Sequence, residues 1–184
     1  MAELLGRLQK NKLLRIARDA IEAYLERRKE PNIQESDPVL NQNMGAFVTL
    51  HIKGRLRGCI GNIIGRQPLY LTIRDMAIAA AFEDPRFNPL TKQEFKDINI
   101  EISVLSPLKR IDRPEEIILG VHGVLVKDNL TSGVYLPQVA TETGWDKETF
   151  MNSLCGDKAG MAPDAWKSSS CEIYVFSAVV FKEN

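Results

Sequence analysis

The sequence predicts an α+β domain in which a mixed, mainly antiparallel sheet is flanked by helices. Three observations predict it. Segments rich in β formers follow one another through short turns, as hairpins do, instead of alternating with helices as a parallel Rossmann sheet requires. Ile98, Ile100, Ile102 and Val104 alternate with Asn99, Glu101 and Ser103, the period of a half-buried strand. The order hairpin, helix, strand occurs twice, and Glu101-Ile102-Ser103-Val104-Leu105-Ser106 resembles Glu172-Ile173-Tyr174-Val175-Phe176-Ser177. Either the halves, about 45–106 and 120–182, are a duplication, or the likeness is the shared chemistry of short apolar strands. No Gly/Ser- or Pro/Ser-rich linker divides them, so residues 1–184 are expected to form one domain.

The elements follow in order. Leu14, Ala17, Ile21, Tyr24 and Leu25 recur at helical spacing among Arg15, Arg18, Glu22 and Glu26. That predicts an amphipathic helix to Arg28, stopped by Pro31. The polar stretch 32–44 reads as a loop. Residues 45–52 and 55–60 form a hairpin about Lys53-Gly54. Pro68 takes the first position of a helix ending near Phe82, with Leu69, Ile73, Met76 and Ala80 on one face. Ala77, Ala79 and Ala81 let a neighbour approach that helix closely. Two prolines stiffen the loop Asp84-Pro85-Arg86-Phe87-Asn88-Pro89. Thr91 and Glu94 have the capping-box spacing of a short helix. Further on, 121–126 and 133–136 read as a second hairpin, and 171–181 as the last strand. Between them Asp146 caps a helix with Trp145 and Phe150 as its hydrophobic staple.

Composition narrows the function. A chain of 184 residues can bury a sizeable core. Its 24 basic and 24 acidic residues cancel, which argues against a protein that coats nucleic acid, because phosphate contacts need a basic surplus. The three cysteines, Cys59, Cys155 and Cys171, are odd in number and widely spaced. Residues 1–8 are too short and polar for the core of a secretory signal, and no apolar run approaches the ~18 residues of a membrane span. A soluble, reduced, cytoplasmic protein is expected.

Arg57-Gly58-Cys59-Ile60-Gly61 is the most unusual segment. Two glycines around a cysteine in a strand point to a bulge or to the close approach of another group. Arg57 either favours the Cys59 thiolate or clamps a carboxylate or phosphate, and the alternative is a buried structural cysteine packed on the Ala-rich helix. Asp84-Pro85-Arg86-Phe87 projects an acid, an arginine and an aromatic for binding, or is an Asp–Arg turn with Phe87 in the core. Gln138 follows a proline that ends a strand and is set in a cleft or solvated. Lys158, between Gly156 and Gly160, cradles an anion or belongs to a helix C-terminal turn capped by Gly156. His122, at the start of a strand, is a candidate general base or an ordinary histidine. No C-x-x-C, H-x-x-x-H, P-loop, G-x-S-x-G or G-x-G-x-x-G is present, so no metal or cofactor is expected. His51, Lys53, Arg55 and Arg57 make a basic ribbon that either meets phosphates or is simply solvated.

Leu56-Arg57-Gly58-Cys59-Ile60-Gly61 is similar to the signature of the AMMECR family. The resemblance continues through Asp84-Pro85-Arg86-Phe87, Glu101 to Pro107, Gly120 to Leu125, Leu136-Pro137-Gln138-Val139, Gly144-Trp145-Asp146, Lys158-Ala159-Gly160 and Ala165-Trp166. It covers about Leu13 to Phe181. It implies a two-part domain with a cleft lined by the signature segment. The binding residues expected there are Arg57, Gly58, Ile60, Gly61, Asp84, Arg86, Phe87, Gln138 and Lys158, with Cys59 and His122 as candidate catalytic residues. The resemblance also implies association, in microbes, with a Memo-like protein and a radical S-adenosylmethionine (SAM) protein, and a part in modifying RNA or another biomolecule. Three readings stand open. One is a modifying enzyme with Cys59 as nucleophile, Arg57 as its activator and His122 as proton shuttle. The second is a binding or adaptor module for a small molecule or protein. The third is an RNA- or DNA-binding protein.

Overall fold

The computed structural model describes residues 5–28 and 34–183. The chain divides into two units, Met1–Leu105 with Val179–Asn184, and Ser106–Ala178.

In the first unit, helix α1 (Arg7–Leu25) buries Leu13, Leu14, Ile16, Ala17, Ala20, Ile21 and Ala23, a stripe at helical spacing. Each fully buried Leu or Ile contributes about 1.5–3 kcal/mol through water release. The helix ends at Leu25, ahead of the expected Arg28, and Pro31 lies outside the described residues. Tyr24, expected on the inner face, is half exposed and stacks on Phe82 with ring centroids 4.3 Å apart. Strands β1 (Ala46–Ile52) and β2 (Arg55–Asn62) form the expected hairpin. Its turn residues Lys53 and Gly54 both have positive φ, 50° and 75°, the backbone of a tight two-residue connection. Helix α2 (Leu69–Phe82) packs on α1, β1 and β2. Pro68 is its N-cap, so the helix begins at Leu69, one residue later than expected. Strand β3 (Ile98–Leu105) keeps its alternation only to Ile102, and beyond that Ser103 is buried as well. The sheet runs β2-β1-β3-β8, where β8 is Ala178–Lys182. Leu50, Leu69, Ile73, Ile100 and Ile102 centre its core.

The second unit repeats the connectivity. Strands β5 (Gly123–Lys127) and β6 (Ser132–Tyr135) pair as a hairpin. Helices α3 (Pro137–Thr143) and α4 (Lys147–Ser153) follow, and then β7 (Glu172–Phe176) pairs with β5. Strand β4 (Lys109–Ile111), which carried no sequence signal, pairs with β7 and completes the order β4-β7-β5-β6. Each sheet thus has its hairpin's first strand between the second strand and the strand after the helices. Asp146 caps α4 by accepting the Thr149 amide at 2.8 Å, and Phe150 is fully buried with Trp145 packed on the same core.

Three expectations for this half need correction. The last strand is two strands: β7 belongs to the second sheet and β8 to the first, with Ser177 between them. Pro137 does not merely end a strand; it opens α3, where its missing N–H costs no helical bond. Gly156 is not a helix cap, because α4 runs on into a π-helical turn, Leu154–Lys158, that contains it. The left-handed residue of that region is Gly160, φ 68°. No described helix is long and apolar enough to cross a membrane.

Candidate functional site

The signature strand is irregular. Leu50 lies opposite Gly58 and His51 opposite Leu56, so Arg57 is an extra residue, a β-bulge. Gly58 lies against α2: a Cβ there would sit 2.1 Å from the Ala80 carbonyl oxygen. A Cβ on Gly61 would meet the Phe47 ring at 2.3 Å, and Ile60 packs on the core. Both glycines therefore mark a close approach, and the bulge lies beside Gly58, at Arg57.

The bulge sends Arg57 to a carboxylate. Its Nε and Nη2 donate to Glu94 Oε1 and Oε2 at 2.9 and 3.2 Å, and Nη2 also donates to the Asn88 carbonyl. This fork is 13% exposed on the arginine side. Its Nη1 is buried and without a hydrogen-bond partner among the described residues. Glu94 is fixed in turn. It accepts the Thr91 amide and hydroxyl, each at 2.9 Å, while its own amide donates to the Thr91 hydroxyl at 3.3 Å. The expected capping box is present, on a single 3-10 turn (Glu94–Lys96) in place of a helix. The Arg57 guanidinium, and then the Thr91 amide, hold the Glu94 carboxyl down to about 2.

A second fork sits beside it. Asp84 is 4% exposed. Arg86 Nε donates to its Oδ1 at 2.9 Å and Nη2 to its Oδ2 at 2.7 Å. The Arg86 guanidinium, followed by the amides of Cys59 and Arg86, holds the Asp84 carboxyl well below the usual carboxylate range despite burial. Both guanidinium groups lie on the Phe87 ring, 5.7 and 5.6 Å from its centroid. Phe87 is half-buried between two arginines and is not a core residue.

Cys59 is held at every polar atom. Its amide donates to Asp84 Oδ2 at 2.9 Å, its carbonyl accepts Arg86 Nη2 at 3.2 Å, and its sulfur accepts the Thr49 hydroxyl at 3.2 Å. The arginine bonded to Cys59 is thus Arg86, not Arg57. Arg57, Gly58, Cys59, Ile60, Gly61, Asp84, Arg86 and Phe87 all belong to this one cluster in the first unit. Thr49, Asn88 and Glu94 complete it. Only Glu94 had a sequence signal, and that signal was for capping.

Gln138, Lys158 and His122 belong to the second unit. Gln138 is the second residue of α3, and its Oε1 is buried without a partner among the described residues. Lys158 is exposed, with Nζ 6.0 Å from the Tyr135 ring centroid. His122 lies in the turn before β5, not within the strand, and its Nδ1 accepts the Ile118 amide at 3.2 Å. The basic ribbon is reduced as well, since Arg57 turns to Glu94 while Lys53 and Arg55 stay exposed. Among the described residues, no group of three His, Cys, Asp or Glu side chains gathers to hold a metal.

Two antiparallel sheets with flanking helices, the first carrying twin arginine–carboxylate forks around a glycine-flanked cysteine, define an α+β protein of the AMMECR type. The chain belongs to the AMMECR1 family, whose pattern matches residues 14–181. A protein of Methanothermobacter thermautotrophicus is 41% identical over 98% of this chain and 97% of its own length. One from Methanopyrus kandleri is 44% identical over 93% of this chain and 86% of its own. The crystal structure of an uncharacterized protein from Pyrococcus horikoshii superposes with a TM-score of 0.85 at 36% identity, covering 99% of this chain and 95% of that one.

Proposed function

We propose that the chain is the recognition subunit of a system that modifies a biomolecule, binding its partners through the signature strand and the loop 84–88. The state of Cys59 carries this reading. Its amide, carbonyl and sulfur are each committed to a hydrogen bond, and among the described residues no histidine or carboxylate side chain bonds to the sulfur to act as a base. A surface whose side chains are held by this many hydrogen bonds suits recognition, where preorganisation lowers the entropy cost of binding. The AMMECR resemblance names the partner class, a Memo-like protein and a radical SAM protein. The test is co-purification and analytical ultracentrifugation of the full chain with the Memo-like and radical SAM proteins of the same genome. The reading expects a complex that survives Cys59→Ser and is lost in Arg86→Glu. It fails if no complex forms with the wild type.

A second reading keeps Cys59 as a nucleophile, because the Thr49 hydroxyl donates to its sulfur and so orients the atom that would attack. Rapid alkylation of Cys59 by iodoacetamide in the folded protein, slowed by Thr49→Val, would favour it. A thiol that stays inert until the chain unfolds would end it.

A further inference from the structure

An open sheet ends in strands whose outer N–H and C=O groups have no partner strand, and another chain can pair with them. Among the described residues the two sheets end in β2 and β8, and in β4 and β6. Three of these edges are short: β4 has three residues, β6 four and β8 five. β2 has eight, which makes it the edge best able to template a foreign strand. Its Leu56, 43% exposed, adds an apolar contact.

The outer side of β2 is nevertheless occupied at Cys59. In an antiparallel ladder a residue turns its N–H and C=O to the same side, and that side alternates along the strand. Cys59 lies opposite Thr49 of β1, yet its amide donates to Asp84 Oδ2 at 2.9 Å and its carbonyl accepts Arg86 Nη2 at 3.2 Å. One acceptor and one donor for the same residue are what a neighbouring antiparallel strand supplies. Here the two side chains of one fork supply them. The fork is anchored in turn. The Arg86 amide donates to Asp84 Oδ1 at 3.1 Å, and the Leu90 amide returns the loop to α2 by donating to the Ala81 carbonyl at 2.8 Å. Arg57 Nη2 donates to the Asn88 carbonyl at 2.9 Å, so the loop 84–88 is tied to β2 at Arg57 as well as at Cys59. Pro85 and Pro89 have no N–H, so the loop is a poor template for a further strand. The bulge at Arg57 breaks the regular spacing of the same edge.

We propose that the Asp84–Arg86 fork, with the loop that carries it, is a strap over the edge of the first sheet: it stands where a further strand would lie and keeps β2 of one copy from pairing with β2 of another. Removing the guanidinium frees the Cys59 carbonyl and takes the partner from the carboxylate that holds the Cys59 amide. By the alternation of the ladder the backbone of Gly61 faces the same way, so two successive outward positions open to a second copy. The two edges are identical, and antiparallel pairing about a two-fold axis satisfies both at once. The strap acts without any partner protein, so its test is separate from that of the recognition reading.

The experiment compares the full chain with Arg86→Ala and Arg86→Lys by sedimentation velocity over a wide range of concentration, with circular dichroism to show that each is folded. Lysine keeps a charge opposite Asp84 but lacks the planar fork that reaches the carboxylate and the Cys59 carbonyl together. The wild type is expected to keep one sedimentation coefficient throughout. Both variants are expected to shift toward a species of twice the mass as concentration rises, Arg86→Ala further than Arg86→Lys. Hydrogen exchange at the β2 amides of Arg86→Ala should slow over the same range. Adding Leu56→Lys, which puts a charge on the exposed edge, should return Arg86→Ala to the wild-type coefficient; it would not do so if the association came from unfolding. Should Arg86→Ala prove unfolded, Arg86→Lys decides by the same measures. A folded variant that sediments as the wild type at every concentration, or an association that leaves β2 exchange unchanged or persists with Leu56→Lys, would overturn the proposal.

Discussion

Asp84 Oδ2 accepts the Cys59 amide at 2.9 Å while the same carboxylate grips the Arg86 guanidinium by both oxygens. One buried acid thus joins the signature strand to the loop that follows α2. Arg86 closes the circuit by donating back to the Cys59 carbonyl. A charged acceptor with several donors is stronger than a neutral one and costs more to remove.

The Asp84→Asn substitution keeps the shape and removes the charge. It should cost about 2 kcal/mol, in line with hydrogen bonds to charged groups. Urea denaturation, fitted with an unchanged m-value, measures this. A cost under a few tenths of a kcal/mol would mean that the fork is ornamental.

Acid should dismantle both forks together. Asp84 and Glu94 titrate lower in the folded chain than their ordinary 3.8 and 4.5, so the unfolded chain binds more protons as pH falls. Their stabilisation is complete above about pH 5 and fades as pH drops toward about 2, where Glu94 titrates in the fold. The melting temperature should fall through that window. In the double variant Asp84→Asn, Glu94→Gln it should start lower at neutral pH and fall less steeply. Parallel curves for the two proteins would refute the linkage.

Gly58→Ala and Gly156→Ala should behave oppositely. At Gly58 the new methyl meets a helix carbonyl that cannot move aside, so overpacking should cost about 3 kcal/mol or prevent folding. At Gly156 the nearest atom is Pro163 Cγ at 3.6 Å, an ordinary contact, so stability should change by no more than ~0.5 kcal/mol. Thermal melts of the two variants side by side decide it.

Glu183 pins the last strand. Its oxygens accept Arg18 Nε and Nη2 at 2.6 Å each, and Oε2 also accepts the Ile100 amide at 2.9 Å. Glu183→Ala should cost roughly 1.5–3 kcal/mol. Hydrogen exchange at the Ile100 amide should quicken, and unchanged protection there would count against the anchoring role.

What the sequence determined by itself is local. The stripe of α1, the Lys53-Gly54 hairpin, the alternation of β3 and the Asp146 cap are each set by neighbours within a few residues, and each was legible. So was the close approach at Gly58, because a glycine in a strand signals a missing side chain whatever fills the space. Tertiary structure decided everything that needs a distant partner. Residues 171–181 are mostly β-forming, and Ser177-Ala178 is too weak a local signal to mark the break. There the Ser106 amide donates to the Ser177 carbonyl at 2.9 Å and the Ser177 amide to the Ser106 hydroxyl at 3.0 Å, and the chain passes from one sheet to the other. Arg57 was recognisable as a fork seeking an anion, but its anion, Glu94, lies 37 residues on and carried a signal for something else. A side chain's chemistry is written in its own residue; its partner is fixed only when packing brings two remote stretches of backbone together.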